Sequence, residues 1–228
     1  MKNNMALHLF TSRVTHDIED LREVVDLTER HLKGEAKRLE RRVARELKEI
    51  AGKEEREYTT GWYADDFVRL DKVYPQIQRR ALFTTLMCMM EADLILGCQM
   101  CWRAFEIPQE LKIKNGKNRI IAQALAYLQE HLTIRYRFLE YDWKLVQNLW
   151  SVRNALVHND GKPKPSDLQL IADFCAPIPT LELDHHNRII LKEGSVQMAL
   201  HAVDSFFRCL ITEINRNKLP NKEHETVR

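Results

Sequence analysis

The stretch from Pro75 to Phe105 constrains the fold most. Ile77, Ala81, Leu82, Leu86, Met87, Met90, Leu94, Ile95 and Met100 surround nearly the whole circumference of a helix. A helix apolar on every side has to be enclosed by others, which makes this the expected central helix of a bundle. Pro75 suits its first turn. Glu91 and Asp93 interrupt the most apolar part, Ala81 to Trp102. They argue for a buried helix and against a membrane span. Glu91 in such surroundings must pair with a cation or hold its proton. Cys98 and Cys101 form a C-x-x-C here with no second pair or nearby histidines, so they read as small buried residues.

The flanking sequence supplies helices to pack around it. Val14, Ile18, Leu21, Val25, Leu32, Leu39, Val43 and Leu47 predict one helix from about Thr11 to Ile50, weakened by Gly34 and ended near Gly52. At roughly 60 Å it exceeds a small bundle, so part of it is expected to project or pack on a partner chain. Lys37, Arg38, Arg41, Arg42 and Arg45, among Glu35, Glu40, Glu46 and Glu49, read as a solvated face laced with ion pairs in preference to an RNA-binding strip. Residues 53–74 look like a connector with a short helix. Glu106 to Gly116 is an expected loop, and Lys112, Lys114 and Lys117 there are weak candidates for phosphate contacts. Helices follow over Asn118–Leu132, Glu140–His158, Ser166–Cys175 (Ser166 as N-cap) and Ser195–Asn215. Thr180–Leu183 and Arg188–Leu191 predict a β-hairpin, with His185 and His186 at its tip expected to point apart. The expected fold is all-α: an antiparallel helical bundle with a long N-terminal helix and one small β-hairpin. Its expected domains are an extension over 1–57, a bundle over 58–217 and a disordered tail over 218–228.

One stretch carries chemistry. Leu149 to Gly161, LWSVRNALVHNDG, is a helix end closed by the Asn159-Asp160-Gly161 stop signal. Arg153 offers a permanent positive fork for a phosphate, and His158 a proton carrier near neutral pH. On an ideal helix the two lie roughly 140° apart, whereas Asn154 and His158 share a face. Helix distortion, a long reach by the arginine, or a second chain could each complete the site; a two-fold dimer is favoured, because it brings the same patch of both subunits together.

Arg153-Asn154-Ala155-Leu156-Val157-His158 resembles the R-x(4–6)-H motif of the HEPN superfamily, helical bundles of toxins, phage defence and RNA-guided RNases. The resemblance covers roughly residues 60 to 215. It implies a homodimer with a composite site that cleaves RNA without metal, with Arg153, Asn154 and His158 in the motif and Glu91 as the polar residue of an earlier helix. It also implies a cognate antitoxin or defence partner and no cofactor. The rival expectation is a non-catalytic HEPN-like dimeric interaction module, in which Arg153 and His158 only pair and cap.

Composition bounds these readings. The net charge of +2 means that any nucleic-acid binding must come from local patches. Five cysteines without a disulfide framework suit a reducing cytoplasm, and MKNNMALHLF has too short an apolar run for a signal peptide. No glycine-rich phosphate loop, serine-nucleophile elbow, dinucleotide fingerprint or metal-spaced carboxylate pair is present in the sequence.

Overall fold

The computed structural model describes residues 2–113, 120–132, 134 and 140–217. It is an all-α helical bundle carrying one small hairpin. The helices are α1 (Lys2–Glu49), α2 (Lys53–Trp62), α3 (Ala64–Val68), a π-helical turn (Arg69–Val73), α4 (Tyr74–Ala104), α5 (Ile120–His131), α6 (Glu140–His158), α7 (Leu168–Cys175) and α8 (Ser195–Arg216). Strands β1 (Leu181–Leu183) and β2 (Ile189–Leu191) pair antiparallel, with Glu182 opposite Ile190. Two compact units emerge. One comprises the described residues of Met1–Asp20, Thr85–Ser151 and Met198–Arg228, the other Leu21–Thr84 and Val152–Gln197.

The first unit is built around the apolar half of α4. Leu86, Met87, Met90, Leu94, Cys98 and Cys101 are all fully buried. Phe10 of α1 lies edge-on to Phe207 of α8, and Trp143 of α6 lies against Phe206. Gly97 lets α1 approach: a Cβ there would sit 2.8 Å from the Phe10 ring. The Cys98 thiol donates to the Ala124 carbonyl of α5 at 3.4 Å, and burial pushes its pKa up. It is a core residue, and among the described residues no group of three or more His, Cys, Asp or Glu side chains could hold a metal ion. The run Ala64–Ala104 is long and apolar enough to cross a membrane by length and composition alone. Its buried side chains are equally what a bundle's central helix requires.

The second unit ties α1, α4 and the hairpin together. Arg79 grips Glu29 with two parallel bonds of 2.7 and 2.8 Å and donates to the Leu191 carbonyl. Gln76 donates to the Leu191 carbonyl and accepts from its N–H, standing in for a strand partner on the free edge of β2. Three local expectations change here. Residues 53–73 are helical almost throughout, and Gly52 is extended (φ −80°, ψ 138°) as the N-cap of α2 in place of a left-handed stop. Asp167, not Ser166, precedes α7, because the Ser166 hydroxyl donates to the Asp167 carboxylate and leaves the helix N–H groups uncapped by a side chain. The tip histidines do not splay, since their ring centroids lie 3.8 Å apart. Asp184 sets that turn by accepting the His186 and Arg188 N–H groups, which hold its carboxyl below the usual range.

Candidate active site

The candidate site is the C-terminal end of α6. The helix stays α-helical through His158, so Arg153 and His158 keep their wide angular separation, and distortion does not bring them together. Beyond His158 the chain closes with a Schellman-type bond, Gly161 N–H to Ala155 carbonyl at 2.9 Å. Asp160 (φ 50°) and Gly161 (φ 82°) both adopt the left-handed conformation this closure needs. The Asn159-Asp160-Gly161 stop signal therefore acts as the sequence suggested.

Val152, Ala155 and Leu156 face the core, while Arg153 and Asn154 are half-buried and His158 is exposed. Arg153 Nη1 donates to Asn154 Oδ1 at 3.2 Å, so these two motif residues are held together. Asn154, one turn before His158, shares its face.

Two arginines that the sequence did not single out converge on this end. Arg80 of α4 pairs with Asp160 at 3.1 Å and donates to the Ile189 carbonyl at 3.5 Å. Arg188, from the hairpin, approaches the other Asp160 oxygen at 3.6 Å. The exit loop also bonds to β2, the Ile189 N–H donating to the Gly161 carbonyl at 3.0 Å. His158 thus stands two residues from a carboxylate flanked by two guanidinium groups. Only packing joins positions 80, 160 and 188; the sequence marked Asp160 as part of the stop signal, but nothing in it pointed to either arginine as its partner.

Glu91 belongs to the other unit and is half-buried. The deeply buried carboxylate of α4 is instead Asp93, at 1% exposure. Arg13 of α1 approaches it at 3.5 Å while also pairing with Asp17, and neither Asp93 oxygen has a hydrogen bond. Burial first, then the Asp17 charge, raises its pKa to about 6 against the opposing pull of Arg13. Lys112 is exposed beyond α4, whereas Lys114 and Lys117 lie outside the described residues.

No family model, no curated protein and no solved structure matches the chain.

Proposed function

We propose that the chain is a metal-independent endoribonuclease of the HEPN type, working as a dimer with a composite site and serving as a toxin or phage-defence effector. The observation that carries this reading is the exposed His158 at the α6 terminus, with Arg153 and Asn154 clasped one turn before it. An RNA 2′-hydroxyl can attack its own neighbouring phosphate, so the protein need only move protons, orient the phosphate and offset its charge. His158 acts as general acid or base, a contribution of about 10²–10⁴-fold. Arg153 takes the phosphate oxygens, with Asn154 fixing its guanidinium. Arg80 and Arg188 hold the exit loop through Asp160 and add positive field beside the imidazole.

The test is cleavage of labelled RNA in EDTA by the purified chain, with product ends identified. Cutting that leaves 2′,3′-cyclic phosphate, lost in both His158→Ala and Arg153→Ala, is the expected result. Equal cutting by either variant ends the assignment. One observation favours a second reading, a non-catalytic interaction module: Asp160 faces both Arg80 and Arg188, and Asn154 holds Arg153, which a purely structural knot also requires. On that reading partner binding survives His158→Ala and no RNA is cut.

A further inference from the structure

Along α1, Arg38, Arg41, Arg42 and Arg45 fall at i, i+3, i+4 and i+7, which places them along one face. That face is one wall of a groove of about 680 Å³, and Arg69, Leu70 and Tyr74 line it from the other side. Every cation lining the groove is an arginine, and the acids among them are only Glu35 and Asp66. Glu35 is engaged by Arg38, and Asp66 lies 3.8 Å from Arg69, so the groove keeps a net positive charge. Arg42 lies over the Tyr63 ring, 5.4 Å from its centroid, while the Tyr63 hydroxyl donates to Glu46. The groove is therefore organised by contacts between α1 and the segment facing it, which a merely solvated charged stripe would not need.

The facing wall is unusual in two ways. Its π-helical turn, Arg69–Val73, is a form that recurs at functional sites. It leads into Tyr74, which is 43% exposed. Outside the groove's lining, α2 carries Tyr58 and Trp62, exposed aromatics whose ring centroids lie 6.5 Å apart, just before the Tyr63 that Arg42 covers.

We propose that this groove binds the phosphate backbone of a single-stranded RNA, the arginines taking successive phosphates and the exposed aromatic rings taking bases by stacking. The affinity for a phosphate chain follows from the groove alone; the choice of RNA rests on the ribonuclease reading. Arginine forks match phosphate oxygens two at a time, which lysine does not. From Arg38 to Arg45 the helix rises roughly 10 Å, enough to meet two or three phosphates of one strand. Stacking on tyrosine and tryptophan favours unpaired bases, whose faces are free. Tyr74 and Arg80 are six residues apart on α4, so a strand leaving the groove has roughly 9 Å of helix to follow towards the α6 terminus.

The experiment uses the full chain carrying His158→Ala, so that RNA stays intact, and a fluorescein-labelled 20-nucleotide uridine strand. Anisotropy is read between 50 and 200 mM NaCl. Arg41→Gln/Arg42→Gln/Arg45→Gln is expected to weaken binding at least tenfold at 50 mM and to flatten the slope of log K against log salt by about 2. Tyr74→Ala is expected to weaken it several-fold with the slope unchanged, and Arg30→Gln, elsewhere on α1, to leave it alone. If the triple variant loses its helical signal, Arg69→Gln takes its place with an expected slope change of about 0.7. Equal binding by the groove variants, equal loss in Arg30→Gln, or equal competition by duplex RNA or heparin at matched charge would overturn the proposal. Cleavage of the same strand by the unmutated chain separates the two readings. Binding without cleavage removes the ribonuclease and keeps the groove, and cleavage with groove variants still binding removes the groove alone.

Discussion

Asp93 holds a carboxylate at 1% exposure with no hydrogen bond to either oxygen, and Arg13 as its nearest cation is itself shared with Asp17. Its pKa, raised to about 6, exceeds the ordinary carboxyl value of 3.8, so the folded chain keeps this proton longer than the unfolded one. Between those two values the native state binds more protons, and stability falls as pH rises; above about 6 the full penalty, at most about 3 kcal/mol, is present. Asp93→Asn removes the ionisation while keeping the side chain's size and leaving Arg13 its partner Asp17. Its Tm is expected to match the parent at pH 4 and to exceed it by several degrees at pH 7.5. A difference independent of pH would show that the gain came from something other than this proton. Gly161 is constrained differently. At φ 82° an added Cβ would also meet Arg80 Nη2 at 2.9 Å. Gly161→Ala is expected to cost about 1–2 kcal/mol in denaturant unfolding, through left-handed strain, and to displace the Arg80 guanidinium from the exit loop.

At the scale of elements, the pair Glu29–Arg79 and the Gln76 clasp fix α1, α4 and β2. Both members of the ion pair are nearly buried, so removing one strands the other's charge. Arg79→Met is expected to cost about 3–5 kcal/mol, lowering Tm by on the order of 10 °C, while Glu29→Gln/Arg79→Met costs clearly less. Additive losses in that cycle would mean the pair is not coupled. These contacts also show what was legible in the sequence. The bounds of α6 and the hairpin could be read from periodicity and stop signals, because those are local. Helix α4 was expected to be enclosed on every side, but Ile77 is 60% exposed and Ala81 and Cys88 are exposed, so its apolar composition overstated its burial. The succession of helical segments over 53–73 was not legible, since none of its residues is buried and no core-facing stripe marks it. Burial along α1 runs from Leu7 to Val43, further than a projecting extension implies. Arg153, Asn154 and His158 could be found by spacing. Arg80 and Arg188 could not, because only the tertiary fold carries them to Asp160.

For the whole molecule, the undistorted α6 has a consequence for assembly. With Arg153 and His158 kept roughly 140° apart on one helix, the proposed chemistry calls for a second copy to bring one chain's guanidinium to the other's imidazole. Mixing two inactive chains tests this directly. In a dimer of Arg153→Ala with Arg153-intact, His158→Ala chains, one site inherits both lesions and the other inherits neither. If the chains exchange freely, half of the dimers are mixed and each has one intact site of two, so cleavage is expected to recover to roughly a quarter of the parent rate. Recovery should vanish on dilution below the dimer's dissociation constant, since no single chain then holds both groups. A site formed within one chain predicts no recovery at any ratio, because every site then carries a lesion. The mixing curve therefore distinguishes a composite site from a self-contained one, and does so without any structure of the dimer.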